Sequence, residues 1–273
     1  MNPRQKYTIE VIATGYEILL GRITDTNSSW IARKAAERGA MVKRIVCVGD
    51  DIDEIASAVK ESLSRRVNLI ITTGGLGPSM DDLTIESIGK ALERRVEVNP
   101  KARAMLEQKC KELGVELTSR RERMARLLEG AIPLYNPVGM APGMMVKLGA
   151  STIIAMPGIP EEMKAIFETH VEKIIEEDTH SRRIAKTIVA RIVWREFFPI
   201  YESLIRDFPH IYIKNKAVPP VKTEERDSVK EIQVDIVVEA QSIPECESEM
   251  RVFLNEFKKR LKIKGGELFP INV

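Results

Sequence analysis

The sequence predicts an α/β fold class, with a three-layer domain around a mainly parallel sheet and a small C-terminal α+β module. In the first half, short apolar runs rich in β-branched residues alternate with segments of helical spacing, which is the order of β-α-β units in parallel sheets. Near residue 180 the order changes to strand, helix, strand, strand, helix, which is typical of a compact α+β unit. We therefore expect one domain at residues 1–178 and a second at residues 184–273.

Hydrophobic periodicity predicts the elements of the first domain. Continuous apolar and β-branched residues at 68–73 indicate a buried parallel strand. Residues 51–65 place Ile52, Ile55 and Val59 on one face of a helix. The same criteria predict strands at 7–14 and 41–48, a strand pair at 144–155, helices at 27–39, 82–93, 100–113, 118–129 and 161–177, and a Pro/Gly-rich connection at 136–143.

Shorter segments make up the second domain. We expect strands at 186–194, 211–218 and 231–240 and a final helix at 244–262. The helix at 196–208 is expected to be interrupted near Pro199, because proline removes a helical N–H group. The polar residues 219–230 predict a flexible loop.

The composition limits the classes of function. Of 273 residues, 44% are hydrophobic, which is enough for a core, and 42 Lys and Arg nearly balance 40 Asp and Glu, so no overall charge attracts nucleic acid. No apolar stretch approaches the roughly 18 residues of a membrane span, and the N-terminus lacks a signal-peptide pattern. Cys47, Cys110 and Cys246 are far apart, which indicates neither a disulfide framework nor a zinc site. We expect a cytoplasmic protein that binds neither a membrane nor nucleic acid.

Two unusual loops, "TGYEILLGRITDTN" and "TTGGLGPSMDD", follow the first and third predicted strands. Ligands of parallel sheets bind at the carboxyl ends of the strands, where both loops would lie. In the second loop, Gly74, Gly75 and Gly77 allow the backbone to approach an anion closely, and the N-terminus of the following helix adds N–H groups. The simpler alternative is a tight turn in which Ser79 and Asp82 form a capping box. Because three glycines exceed what a cap needs, we favour an anion site.

Carboxylates follow this loop directly. A bare carboxylate beside a phosphate is repelled by roughly several kcal/mol, whereas a divalent metal bridging Asp81 and Asp82 would convert the repulsion into binding. Alternatively, one aspartate caps the helix and the other is solvated.

In the first loop, Glu17 lies among apolar neighbours, where a charge needs a partner. Asp25 and Asn27 fit turn and cap positions, and for Asn27 we favour the helix cap.

Three further segments have ordinary explanations. In "VGDD" (48–51), the second aspartate can cap a helix. "NPVGMAPG" (136–143) could position a ring or a phosphate, or simply connect two elements. In "MPGIPEEM" (156–163), Glu161 and Glu162 fit the first turn of a helix. His170, His180 and His210 are scattered, and we assign them no role.

The segments "TGYEILLGRITDTNSSWIARK", "VGDD", "TTGGLGPSMDDLT", "NPVGMAPGM" and "MPGIPEEM" occur in the order seen in the CinA (competence/damage-inducible protein) N-terminal family. The resemblance covers about residues 7 to 175 and implies a molybdopterin-binding-like fold. The C-terminal module resembles the small α+β domain that follows in CinA proteins. The amidase domain at the end of many CinA proteins is expected to be absent. Leu76 and Asp81 stand where the adenylyltransferase branch of this fold has Thr and Arg, which favours the CinA branch.

The resemblance implies a metal-dependent hydrolase of nucleotide diphosphates, acting on ADP-ribose or an FAD-like substrate with Mg²⁺ or Co²⁺. Asp82 and Glu17 would be catalytic, and Asp81, Asp82 and Asp25 would bind the metal. The residues that would bind phosphate or nucleotide are Gly15, Asn27, Gly74, Gly75, Gly77, Pro78, Asn136, Gly139, Pro157 and Gly158.

Two other functions stay open. One is molybdopterin binding or adenylyl transfer in molybdenum cofactor biosynthesis, and the other is a non-catalytic nucleotide-binding module. The expected partners are a small-molecule nucleotide and further copies of the chain in a homodimer or other homo-oligomer. We expect the C-terminal module to serve oligomerisation or to act as a lid. Its element order is similar to that of KH-like RNA-binding units, but it has no G-x-x-G segment to hold RNA.

Overall fold

The chain forms two compact units, one of residues 1–36 and 40–179 and the other of residues 37–39 and 180–273. The computed structural model describes residues 7–179, 181–218 and 226–270. The division after residue 179 falls between the predicted domain limits at 178 and 184. Within the described ranges, the helices are all too short or too polar to cross a bilayer.

The first unit follows the predicted β-α-β order with several short additions. Its elements are β1 (Thr8–Thr14), α1 (Tyr16–Leu19), α2 (Thr26–Glu37), β2 (Met41–Val48), α3 (Ile52–Ser64), β3 (Leu69–Thr73), α4 (Thr84–Leu92), β4 (Val96–Val98), α5 (Pro100–Leu113), α6 (Ser119–Glu122), a 3-10 turn (Arg123–Ala125), β5 (Arg126–Leu128), β6 (Ile132–Leu134), β7 (Gly143–Leu148), β8 (Ser151–Met156), α7 (Pro160–Ile166), a π-helical segment (Phe167–Val171) and α8 (Glu172–Asp178).

A six-stranded sheet in the order β2-β1-β3-β8-β7-β6 forms the centre of this unit. β2, β1, β3 and β8 are parallel, whereas β7 and β6 pair antiparallel. The β3 residues are all buried, as expected for a strand covered on both faces. One face packs against α3, α4 and α5 through residues such as Val59 and Ile88, and the other packs against α2 and α7 through Ile31 and Ile166. The predicted three-layer α/β class is confirmed.

The helix predicted over 118–129 is wrong beyond its first turn. α6 ends at Glu122, and β5 begins at Arg126 and pairs with β4. Leu127 and Leu128 are both buried in the core, so packing decides the strand against the helical spacing of the sequence. The predicted strand pair at 144–155 is confirmed as β7 and β8.

A buried ion pair joins the sheet to its covering helix. Glu10 on β1 is 2% exposed; Arg65 at the end of α3 donates to both of its carboxylate oxygens at 2.7 Å, and Ser62 Oγ donates to Oε2 at 2.7 Å. Burial raises the pKa of the Glu10 carboxyl, but the hydrogen bonds from Arg65 and Ser62 outweigh burial, so the pKa lies below its usual value. Glu10 is therefore charged and fully partnered inside the fold.

The second unit is a β-α-β-β-α-β module. Its elements are β9 (Arg182–Val193), α9 (Trp194–Asp207), β10 (Tyr212–Asn215), β11 (Val229–Ala240), α10 (Ile243–Ile263) and β12 (Glu267–Pro270). The strands form an antiparallel sheet in the order β10-β11-β9-β12, and α9 and α10 pack on it through Phe197, Leu204, Phe253 and Phe257.

Two predictions for this unit need correction or fall outside the described residues, and one strand is absent from the prediction. α9 is continuous through Pro199, because the buried side chains on both sides of the proline hold the helix against the core. β12 was not predicted, since four residues show no clear alternation. Residues 219–225 of the predicted loop at 219–230 lie outside the described residues. Residue 180 lies outside them too. The strand that follows the loop, β11, begins at Val229.

Candidate functional site

A cavity of about 550 Å³ opens at the carboxyl edge of the parallel strands in the first unit. The loops that follow β1, β3 and β8 form most of its wall, so it lies where ligands of parallel sheets bind. It combines the glycine loop, several carboxylates and an apolar side formed by Met124, Met140 and Ile159. The two loops singled out in the sequence meet here.

The glycine loop is fixed by its own hydrogen bonds. The amide of Gly74 donates to Met156 O at 3.0 Å, and Thr84 Oγ1 donates to Gly74 O at 2.8 Å. Gly75 has a φ of +64°, and a Cβ there would overlap Thr84 Oγ1, so glycine is required. The N–H groups of residues 75–77 donate to no other residue within the described ranges. Three consecutive free amides beside a cavity are suited to binding an anion.

Asp82 has a structural contact and also lies on the cavity. Its Oδ2 accepts from the Ser79 amide at 2.7 Å, but this contact closes a turn ahead of α4, whose N-cap is Leu83, so the capping box considered above is wrong. A Cβ at Gly77 would lie 2.5 Å from the same oxygen, so this glycine makes room for the carboxylate. Asp82 and the exposed Asp81 both line the cavity.

Glu17 and its neighbour Gly15 also line the cavity. The Glu17 carboxylate packs directly against the Gly15 backbone. Asp50 also lines the cavity, and its Oδ2 accepts from the Tyr16 amide at 2.9 Å, which fixes the start of α1. Sequence reasoning missed Asp50; its neighbour Asp51 caps α3 as expected, accepting from two amides.

The predicted cap at Asn27 is wrong. Asp25 Oδ1 accepts from the Ser28 amide at 2.9 Å and caps α2. Asn27 Nδ2 instead donates to Thr73 Oγ1 at 3.0 Å and to Gly158 O at 2.8 Å, and so joins the start of α2 to the end of β3 and to the loop after β8. Asp25 lies outside the cavity lining, so its predicted role as a metal ligand has no support in this geometry. Pro157 and Gly158 do line the cavity.

Asn136 organises the 136–143 loop from inside. It is 3% exposed, and its Oδ1 accepts from the Gly139 amide at 2.8 Å. Its Nδ2 donates to Ala141 O at 2.9 Å and to Glu162 Oε2 at 2.6 Å. The resemblance assigned Asn136 and Gly139 to ligand binding, but here they support the loop, while Met140 and Glu162 reach the cavity.

Glu162 lines the cavity, although its ordinary position at the start of a helix gives no sign of this in the sequence. It is half-buried on α7, and a Cβ at Gly139 would overlap its carboxyl group. Burial raises the pKa of Glu162, opposed by the Asn136 hydrogen bond and by the positive charge of Lys109. Only its contacts with distant loops, which the local sequence cannot reveal, distinguish it from Glu161.

The cavity carries an excess of negative charge. Its lining carboxylates are Glu17, Asp50, Asp81, Asp82 and Glu162. Among the described lining residues, Arg121 is the only cation; its Nη1 donates to Glu116 O at 2.6 Å. No cluster of three or more His, Cys, Asp or Glu within the described residues could hold a metal ion by itself. The free amides of residues 75–77 are therefore the main attraction that this cavity offers to an anion.

The fold and this site define a class of protein. Residues 10–177 match the family described as a probable molybdopterin binding domain, and the chain belongs to that family.

Within that class, the chain is similar to the protein CinA from Thermoplasma acidophilum. The two are 36% identical with a TM-score of 0.58, over 62% of this chain and 98% of that one, which confirms the resemblance inferred from the motifs. A protein of Pyrobaculum calidifontis is 33% identical over 94% of this chain and 97% of its own length. A protein of Sulfurisphaera tokodaii is 38% identical over 82% and 84%, respectively.

Proposed function

We propose that the first unit binds a phosphate-bearing pterin of the molybdopterin type in the cavity. The observation that carries this proposal is the row of free amides at residues 75–77, three residues that line a cavity with an apolar side. The amides suit the phosphate, and Met124, Met140 and Ile159 suit a flat heterocycle. Membership of the molybdopterin-binding family supports the same ligand class.

Anaerobic isothermal titration calorimetry with molybdopterin tests this proposal. We expect saturable binding with one molecule per chain, and weaker binding when inorganic phosphate competes for the amides. Addition of ATP and Mg²⁺ tests adenylyl transfer, in which a phosphate oxygen of molybdopterin displaces pyrophosphate from the α-phosphorus of ATP. A folded protein that gives no binding heat with molybdopterin would refute the proposal.

A second candidate function is metal-dependent hydrolysis of a nucleotide diphosphate such as ADP-ribose. The specific observation in its favour is the set of carboxylates beside the amide row. Protein sites commonly hold Mg²⁺ through one or two carboxylates together with substrate phosphates, which fits Asp81 and Asp82 even though the described residues contain no complete protein cluster. Such a metal, Mg²⁺ or Co²⁺, would neutralise the diphosphate and lower the pKa of a bound water. Glu17, which also lines the cavity, would accept the proton of the attacking water.

Substitution Asp82→Asn is expected to reduce hydrolysis of ADP-ribose to AMP and ribose 5-phosphate by at least about 100-fold. The loop should persist, because an asparagine oxygen can still accept from the Ser79 amide. Product release measured by chromatography, with Mg²⁺ or Co²⁺, checks the effect. Asp53→Asn, on the exposed start of α3, is the matched control. Full activity of Asp82→Asn at saturating metal, or no activity of the unsubstituted protein, would exclude this candidate.

A further inference from the structure

Glu162 is held in the cavity wall by a buried support. Asn136 donates to its Oε2, and both oxygens pack against the glycine at 139. Lys109 adds a positive charge nearby; it is itself buried, donates to Pro137 O at 2.9 Å and lies 5.1 Å from the centre of the Tyr135 ring. Glu162 is therefore positioned before any ligand arrives.

The second oxygen of Glu162 has spare hydrogen-bonding capacity. Oε1 accepts from no other residue in the described part of the chain, and the side chain lines the cavity beside Met140 and Ile159. A carboxylate with a fixed orientation accepts two parallel hydrogen bonds from a pair of adjacent N–H donors. The 2-amino-4-oxo edge of a pterin presents such a pair, namely the 2-amino group and N3–H. Adenine presents one donor beside an acceptor, which repels the carboxylate.

We propose that Glu162 selects the pterin ring by accepting hydrogen bonds from its 2-amino group and N3–H. The inference rests on the proposed pterin-binding function and assigns its ring specificity to one side chain. Asn136 acts as the positioning residue that holds the carboxylate. The phosphate of the same ligand lies at the amide row of residues 75–77, so ring and phosphate are recognised by different loops.

Binding of two air-stable probes tests the assignment. One is 6-hydroxymethylpterin monophosphate, and the other is 6-hydroxymethyllumazine monophosphate, in which an oxo group replaces the 2-amino group. The unsubstituted protein should bind the pterin at least about tenfold more tightly, because the lumazine places an acceptor against the carboxylate. Glu162→Gln should abolish this preference, since an amide can donate to the oxo group. It should keep the fold, because glutamine can still accept from Asn136.

Glu161→Gln is the matched control, since Glu161 is exposed in the same helical turn; it should keep the tenfold preference. Equal binding of the two probes by the unsubstituted protein, or an unchanged preference in Glu162→Gln, would overturn the role of Glu162 and leave pterin binding intact. Binding of neither probe would overturn the role of Glu162 together with the proposed function.

Discussion

Substitution Gly75→Ala is expected to lower the affinity for a phosphate-bearing ligand by about 100-fold, the effect of misplacing a binding group by about 1 Å. Gly75 has a φ of +64°, and a Cβ at this position overlaps Thr84 Oγ1. Thr84 Oγ1 also binds the carbonyl of Gly74, so relief of the overlap must move the loop. The amides of residues 75–77 would then no longer converge on one anion. Calorimetric titration with 6-hydroxymethylpterin monophosphate measures the change.

Gly149→Ala is the matched control for backbone strain. Gly149 has a φ of +61°, lies between β7 and β8, and has open space where a Cβ would be. Both substitutions carry the left-handed backbone penalty of about 1–2 kcal/mol, so both should lower the unfolding temperature. Only Gly75→Ala should lose the ligand. Equal ligand affinity in the two variants would contradict the role of the loop.

Substitution Arg65→Ala is expected to lower the free energy of unfolding by about 3 kcal/mol, because it leaves the Glu10 carboxylate buried without its partner. Arg65 is 30% exposed, which places the effect at the lower end for broken buried pairs. The unfolding temperature should fall by roughly 6–12 °C, as measured by circular dichroism. Arg33→Ala, on the exposed face of α2, should change it little.

The effect of Arg65→Ala should depend on pH. Because the folded protein lowers the pKa of Glu10, the ion pair stabilises the fold fully above the usual pKa of glutamate, and this stabilisation is lost as the pH falls through the lowered value. In Arg65→Ala, the buried carboxylate is protonated more easily. The difference in unfolding temperature should therefore shrink in acid, and a constant difference across the acidic range would contradict the buried-pair account.

The order of the larger elements could be predicted from the sequence because their periodicity extends over many residues. β3 is a continuous β-branched run, and α3 shows a clear apolar face. The short strands β4, β5, β6 and β12 were missed because three or four residues show no reliable alternation. Pro199 predicts an interruption of α9, whereas the buried aromatic face of this helix keeps it continuous.

The sequence predicts those parts of the candidate site whose residues stand close together in the chain. The glycines and aspartates of the 74–82 loop stand together in the sequence, and all of those predicted line the cavity. Asp50, Arg121 and Glu162 were missed because each fits an ordinary local role and reaches the cavity only through the fold. The sequence favours Asn27 as the cap because it cannot show that Thr73 and Gly158 occupy the amide of this side chain.

Two further expectations stay predictions. Binding of a divalent metal by Asp81 and Asp82 depends on whether a bound ligand supplies the rest of the coordination. The expected homodimer or other homo-oligomer can be measured by light scattering of the purified protein. Neither affects the amide row or the position of Glu162.

A crystal structure of the protein with 6-hydroxymethylpterin monophosphate tests the central claim most directly. We predict phosphate oxygens at about 2.7–3.2 Å from the backbone nitrogens of residues 75–77. The pterin ring should lie beside Met140, with its 2-amino group at the Glu162 carboxylate. A phosphate bound outside this cavity, or within it but away from the three amides, would contradict the claim.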